Sequence, residues 1–510
     1  MESMKHRRLI YALSFILFTT ALAILFGIRW SKIWFNEVAF GDVVSLFCLP
    51  LTGTTSNITR SVIKNIALPI FVILCTVLSL ELEEHHLISR EEARGHSTTV
   101  KRFRLLDRIV PIAVGLIFTG TLFYANSALG ITSFIEHEGN KTSLYDSYYV
   151  SPKSVSLAFP AKKRNLIYLY SESMESTFMS KKFGGQKDVS LIPGLTKIAQ
   201  ENTTFTSDGK LQGFTCLPTV DFTMGSIVAQ TAGIGVINTD KGNDHAYVAG
   251  AYTLGDILHK EGYEQNLLIG SNGDFEARKN YYEYHGGAEV LDYGYAIEKK
   301  WIPADYKVWW GYEDRKLFAF AKKDLLRLSA SDKPFSLTLL TADTHAPGGY
   351  VCPLCKTTYP NQYDNVVACS DRQISEFIAW AQEQKFYANT TIVICGDHTS
   401  MDESVVNESN ATPIQDKVRR VYSTIINPDL SAEALKTAPY NNRSFSAFDL
   451  FPTTLTALGA NVEGHRLGLG TDLFSGAPTL LEKFGTARLT EELDKDSDFY
   501  EHTLFDPRKP

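Results

Sequence analysis

From Leu9 to Ile28 the chain carries no charged side chain. About 20 apolar residues, at a rise of about 1.5 Å each, match the thickness of a bilayer's hydrocarbon core. Two further runs follow. Residues 65–81 are shorter, with Lys64 placed to snorkel at the outer end, and residues 109–131 are long enough to span with some tilt. Between the first two, Val43–Leu51 is apolar but too short to cross, and fits a re-entrant turn or an interfacial helix. The sequence therefore predicts a helical transmembrane region over residues 1–135 with three spans, 9–28, 65–81 and 109–131. The first run is read as an uncleaved anchor, because its apolar core is longer than a signal peptide's and no small-x-small cleavage site follows it cleanly.

The basic residues orient these spans. Lys5, Arg7 and Arg8 precede the first, and Arg90, Arg94, Lys101, Arg102, Arg104 and Arg108 lie between the second and third. Both groups belong on the cytoplasmic side, so everything after about residue 132 is expected outside. A net charge of −7 argues against nucleic acid as a partner. Cys352 and Cys355 form a CxxC in the exported part. There a structural disulfide is expected, Cys352 or Cys355 with Cys369, since a zinc knuckle needs a fourth ligand and none is apparent. Cys216 is the other cysteine left open for pairing.

Residues 136–160 are polar, with Tyr145, Tyr148 and Tyr149 suited to a linker at a membrane surface. Short apolar runs then alternate with helical-length stretches. Buried strands are predicted at Asn165–Ser171, Gln265–Gly270, Phe335–Thr341, Thr390–Cys395 and Val421–Ile426, and helices at Val189–Glu201, Leu254–Glu261, Arg315–Leu328 and Ser370–Gln384. This alternation predicts a layered α/β domain over residues 161–480, its sheet covered on both faces. Residues 481–510 are charged, with few core signals, and read as a surface helix or tail.

In such sheets ligands bind beyond the carboxyl ends of strands. Ser171-Glu172-Ser173, Asp343-Thr344-His345 and Gly396-Asp397-His398 stand at three such ends. Carboxylates and an imidazole arranged this way form a site for one divalent metal. The segment Leu217–Gln230 runs from a Pro-containing loop into an apolar helix, with Asp221 expected as N-cap and Thr223 in the first turn. A helix N-terminus favours an alkoxide and an incoming phosphate, which makes Thr223 a candidate nucleophile and Thr219 its rival. His285 and His465 read as structural, and His85 and His86 as solvated.

These blocks, in this order, resemble the alkaline phosphatase–sulfatase superfamily, and more narrowly its phosphoglycerol transferase and lipoteichoic acid synthase branch. Tyr170–Ser173, Leu217–Thr223, Asp343–His345, Gly396–His398 and Phe448–Leu455 carry the resemblance. Tyr148–Pro152, Leu467–Gly470 and the apolar loop Phe47–Gly53 are similar to the periplasmic glucan phosphoglycerol transferases. The resemblance implies a sulfatase/alkaline-phosphatase-like domain with a mostly parallel central sheet. It implies one Mn²⁺ or Mg²⁺ ion, with Zn²⁺ possible, held by Glu172, Thr223, Asp397 and His398. Thr223 is implied as the residue that becomes a covalent phosphoglycerol ester. His345 is implied as a residue that binds substrate phosphate and assists the leaving group, and Arg278 as the basic residue that holds glycerophosphate. Trp310 resembles a tryptophan of the glucan-modifying members. Glu276 stands where the lipoteichoic acid synthases have tryptophan, so their glycerol contacts do not carry over directly. Val220 replaces the Arg that sulfatases proper require after a Cys/Ser-x-Pro.

The expected partners are thus a phosphatidylglycerol donor, a glycan acceptor and the bilayer itself, with the chain in a bacterial inner membrane and its catalytic domain in the periplasm. A phosphoethanolamine transferase acting on lipid A or glycan is the alternative. A catalytically inactive membrane sensor of the same fold is the third reading.

Overall fold

The computed structural model describes residues 2–35, 40, 60–94, 97–132, 135, 140–207, 209–211, 213–237, 248–402, 404–405, 419–437, 440 and 442–505. The apolar loop around Phe47–Gly53 and the interfacial segment Val43–Leu51 lie outside them. The chain divides into two compact units, an N-terminal one built from long helices and a larger one that follows from about residue 137.

In the N-terminal unit α1 spans Glu2–Phe35, α2 Leu68–Ala93 and α3 Ser97–Leu129. Within them Ile10–Lys32, Arg60–Ser79 (which includes the turn before α2) and Ile109–Leu129 are long and apolar enough to cross a membrane. Ile28, Ala125 and Leu129 pack α1 on α3. Phe71, Leu116 and Phe123 instead point outward and are exposed. Large apolar side chains turned away from the unit's interior are what a lipid solvent would cover.

The second unit is built on a six-stranded sheet. Its strands are β1 (Asn165–Ser171), β2 (Glu264–Ile269), β3 (Glu289–Leu291), β4 (Phe335–Leu340), β5 (Thr390–Gly396) and β6 (Ser423–Ile426). They lie in the order β3-β2-β4-β1-β5-β6. All neighbours are parallel except β5 and β6. The central strands are buried on both faces, as continuous apolar runs require. Leu166, Tyr168 and Tyr170 of β1 join one core, and Ile167 and Leu169 the other.

Helices cover the two faces. On the first lie α5 (Thr223–Ala232), α6 (Leu254–Lys260), α9 (Leu450–Ala457) and α10 (Leu480–Leu493). On the second lie α4 (Pro193–Glu201), α7 (Asp314–Leu328) and α8 (Gln362–Gln382). Each buried Leu, Ile or Phe in these layers contributes roughly 1.5–3 kcal/mol by leaving water.

Two boundaries differ from expectation. Residues 140–160 are not a surface linker, since Leu144 and Tyr145 are buried in the first core. Residues 480–505 are not a peripheral tail, since Leu480, Leu489, Leu493, Tyr500 and Phe505 join that core. The two segments pack on each other: Tyr145 meets Tyr500 at 5.4 Å between ring centroids, Tyr148 meets Phe484 at 5.1 Å and Tyr149 meets Phe499 at 5.5 Å. Both ends of the unit thus close over one face of the sheet.

Candidate metal centre

Strands β1 and β5 are neighbours, and Ser171 pairs with Gly396. Glu172 and Asp397, one residue further along each strand, therefore leave the sheet side by side. Gly396 is required by the close approach of the β1 turn, for a Cβ there would lie 2.1 Å from Met174 O. His398 follows directly. One ligating atom each from Glu172, Asp397 and His398 lies within 4.8 Å of the others, and all three side chains are buried. His398 Nε2 stands 3.7 Å from Glu172 Oε1 and 3.5 Å from Asp397 Oδ2.

The surrounding hydrogen bonds fix which atoms remain open. Asp397 Oδ1 accepts from Ser173 N at 2.7 Å and His398 N at 2.9 Å. Ser173 Oγ donates to Glu172 Oε1 at 2.7 Å. His398 Nδ1 donates to Thr399 O at 2.9 Å, which leaves Nε2 turned to the carboxylates. Asp397 Oδ2 accepts no hydrogen bond from any described residue. Burial, then the Glu172 charge, pushes Asp397 up to about 6. Burial acts to lower His398, but Asp397 and Glu172 outweigh it and raise the imidazole to about 9. An orphaned buried carboxylate oxygen, a second carboxylate and a free imidazole nitrogen form a donor set that suits one divalent cation.

Thr223 opens α5 and is buried. The helix is capped by Phe222, whose extended backbone supplies no side-chain hydrogen bond, so no side chain satisfies the first-turn N–H groups from the cap position. Asp221, expected as N-cap, sits one residue too early. It is exposed, and its charge instead helps raise His398. Thr219, the rival hydroxyl, has a left-handed backbone (φ 68°). Its Oγ1 is buried without a partner among the described residues, against Gly235, where a Cβ would come within 2.1 Å of it.

His345, Arg278 and Trp310 form a second cluster. The Trp310 ring lies 4.7 Å from that of His345 and 5.2 Å from Phe275, and the Arg278 guanidinium stacks on Phe275 at 5.1 Å. Arg278 Nη1 donates to Ser271 Oγ at 3.3 Å and Nη2 to Glu276 Oε2 at 3.1 Å, while its buried Nε has no partner among the described residues. Glu276 and Ala277 both hold left-handed backbone, φ 53° and 56°. That strain, of order 1 kcal/mol each, is a common mark of a functional loop. His345 Nδ1 donates to Ala346 O at 2.6 Å. Burial, aided by the neighbouring His398 and Arg278 charges, lowers His345 to about 4 and keeps it neutral.

Sequence reasoning missed three supports. Asp343, grouped above with the metal residues, does not join them. It pairs with Asp314 at the start of α7, whose carboxylate accepts from Ala342 N at 2.8 Å and Asp343 N at 3.1 Å. Glu175 holds Arg419 and accepts from Ser400 N at 2.8 Å, which fixes the turn after His398. Tyr363 OH bonds Thr344 O at 2.9 Å and Ser400 Oγ at 2.6 Å, tying the His345 loop to the His398 loop. None of these has a local sequence signal except the acidic first turn of α7. His285, expected as structural, is buried and bonds Asp256 at 3.1 Å. The cysteine disulfide is not formed: Cys352, Cys355 and Cys369 come together as free thiols.

Several known proteins are similar to this chain. Phosphoglycerol transferase I of Citrobacter koseri is 32% identical over 273 residues, covering 51% of this chain and 34% of that protein. Phosphoglycerol transferase I of Escherichia coli is 30% identical over 345 residues, covering 65% and 41%. The chain thus spans only about a third to two fifths of the length of these curated relatives. A solved protein of the alkaline phosphatase superfamily from Vibrio parahaemolyticus aligns with a TM-score of 0.48 at 20% identity, over 65% of this chain and 75% of its own. The sulfatase family pattern matches residues 164–460, from the first central strand to the end of the helix that follows the sheet. The chain belongs to the sulfatase family, its domain built on a mostly parallel sheet between two layers of helices.

Proposed function

We propose that this chain is a membrane-anchored phosphotransferase that moves glycerol phosphate from phosphatidylglycerol to a periplasmic glucan or other surface glycan. The relatives named phosphoglycerol transferase support this reading, as do three helices apolar enough to anchor the chain where a lipid donor resides. The observation that carries it is the buried Glu172–Asp397–His398 set with Asp397 Oδ2 left open. In this reading Glu172, Asp397, His398 and the Thr223 hydroxyl hold one Mn²⁺ or Mg²⁺ ion, or Zn²⁺. When bound, that cation would lower the pKa of the threonine hydroxyl and draw charge from the transferring phosphoryl group.

The chain's own residues then divide the work. Thr223 Oγ forms a bond to the donor phosphorus as the phosphorus–oxygen bond to diacylglycerol breaks. Diacylglycerol leaves with a proton, and glycerol phosphate stays esterified to Thr223. An acceptor hydroxyl next attacks that phosphothreonine, and the Thr223 hydroxyl is restored. The first-turn N–H groups of α5, which no side chain caps, and the Arg278 guanidinium would face charge on the phosphoryl oxygens. His345 Nε2 accepts the proton released at the nucleophile and delivers it to the departing oxygen. It is neutral before substrate arrives, and a phosphate anion beside it favours its protonated form. Trp310 packs His345 from one side and keeps its ring in place.

Peptide mass spectrometry on the full chain incubated with Mn²⁺ and phosphatidylglycerol, beside Thr223→Ala, tests this. A glycerophosphate ester on the Thr223 peptide, absent in the variant, is the expected result. A phosphoethanolamine ester from phosphatidylethanolamine would replace the donor and keep the nucleophile. No ester from either lipid, with metal bound, would overturn the transferase reading.

A further inference from the structure

Cys352, Cys355 and Cys369 form a group distinct from the carboxylate–imidazole set and take no part in the chemistry above. Cys352 and Cys355 bracket the turn Cys-Pro-Leu-Cys in the segment that runs on from His345. Cys355 N donates to Cys352 O at 2.9 Å and closes that turn. Cys369 projects from α8. Cys352 and Cys369 are only 2% and 1% exposed, and one sulfur from each of the three lies within 4.8 Å of the others.

The separations carry the argument. Cys352 Sγ is 3.9 Å from Cys369 Sγ and 3.7 Å from Cys355 Sγ. Sulfurs bonded at about 2.3 Å to one tetrahedral ion sit about 3.8 Å apart, whereas a disulfide needs about 2.0 Å. A disulfide between any two of these cysteines would also leave the third thiol unpaired beside it. The fourth corner is built too. The Gln373 side-chain amide reaches Cys369 Sγ at 3.7 Å and Cys352 Sγ at 3.8 Å. Its other polar atom, Oε1, is buried and without a partner among the described residues. The two ends of an amide are interchangeable by rotation about its last bond. Turned over, the oxygen faces the sulfurs, near the separation of about 3.6 Å that a sulfur and an oxygen ligand of one tetrahedral zinc would show.

We infer that Cys352, Cys355, Cys369 and the Gln373 side-chain oxygen form a second, structural metal site for a soft divalent ion such as Zn²⁺. Loading releases the three thiol protons to solvent; no sulfur–sulfur bond forms or breaks, and no oxidant is needed. The ion joins the segment that follows His345 to α8, the helix whose Tyr363 already bonds Thr344 O. The site therefore braces the His345 loop from its far end. Arg372 Nη2, 3.6 Å from Cys369 Sγ and bonded to Leu354 O at 2.7 Å, offsets part of the excess thiolate charge.

Cobalt substitution separates this site from the carboxylate–imidazole set, because only thiolate ligands give an intense sulfur-to-cobalt charge-transfer band. The full chain in detergent, purified without reductant, chelated and titrated with Co²⁺, is expected to develop that band at one ion per chain. Asp397→Asn is expected to keep it in full, Cys369→Ser to lose it, and Zn²⁺ to bleach it. Gln373→Ala is expected to weaken Zn²⁺ binding at this site about 10-fold or more; unchanged binding would overturn the four-ligand assignment. Absence of the band in the wild-type chain would overturn the proposal, and so would non-reducing peptide maps showing a disulfide among the three cysteines. Both readouts use the unaltered protein, so they stand even where Cys369→Ser does not fold.

Discussion

Glu172 with Asp397, and Asp314 with Asp343, are two buried carboxyl pairs at the same edge of one sheet, and they are solvated in different ways. Each pair is desolvated almost completely, and like charges so placed cannot both remain ionised without help. Around Asp314 the help is backbone: both of its oxygens accept from N–H groups, and its own N donates to Asp343 Oδ1 at 3.2 Å. Burial and mutual repulsion still drive Asp343 well above the usual carboxyl range, so this pair keeps a proton. Around Asp397 one oxygen is satisfied by backbone, while the other faces an imidazole nitrogen and Glu172. The difference shows that two buried carboxyls do not define a metal site. Asp343 Oδ2 and Asp397 Oδ2 are both buried without a hydrogen-bond partner among the described residues; what sets the Asp397 pair apart is the open imidazole nitrogen of His398 beside it.

That contrast is open to direct attack. Asp397→Asn removes a ligand charge and is expected to cut Mn²⁺ affinity by at least about 100-fold by calorimetry, and to abolish esterification of Thr223. Wild-type affinity in that variant would erase the distinction. Asp343→Asn replaces an already protonated acid by an amide of the same shape, so Mn²⁺ affinity is expected to stay within about threefold. A loss comparable to that of Asp397→Asn would put Asp343 in the metal set after all.

The pairs also differ in their response to pH. Asp314 is pushed up to about 7, chiefly by burial. A carboxyl whose folded pKa exceeds its unfolded value adds stability that is full below about pH 4 and disappears as pH rises through the folded value. The melting temperature of the full chain in detergent should therefore fall between about pH 5 and pH 8. Each kcal/mol lost is worth roughly 2–4 °C for a domain of this size, and Asp343→Asn should flatten the fall. An equally steep profile in that variant would assign the titration elsewhere. The smallest effect concerns the tie between the two loops: Tyr363→Phe should cost about 1 kcal/mol and slow esterification more than it weakens Mn²⁺ binding. Equal losses in both would make Tyr363 a support of the metal set alone.

The parts of this fold that could be read from sequence are those whose signals are local. Five of the six central strands lie within one or two residues of their predicted bounds, because a strand buried on both faces is an unbroken apolar run. Glu172, Asp397 and His398 were visible for the same reason, since each directly follows such a run. The strand Glu289–Leu291 has three residues and offers no pattern. Residues 140–160 and 480–505 bury Leu144, Tyr145, Leu489 and Leu493, but the sequence around them is polar in the first segment and charged in the second, and the partners lie some 350 positions apart. Asp314 likewise reads as an ordinary first-turn acid until the fold sets it against Asp343. The sequence places Thr223 in a first helical turn, as found, but sets the cap and the helix start one residue early, for the extended residue is Phe222 and no side-chain type announces that.

The pairing of Ser171 with Gly396 also has a consequence in time. Glu172 is synthesised some 225 residues before Asp397 and His398, so a growing chain owns one carboxylate of the set for most of its synthesis. The strand that must lie beside β1 to complete the set is nearly the last of the sheet to be made. A cation met earlier, by a partly made chain, would find one carboxylate of the set and neither Asp397 nor His398 to hold it. On the proposed reading, the ion held there would be drawn from whichever compartment holds the finished sheet, and that compartment's supply, more than the preference of the donors, would decide which metal the set takes.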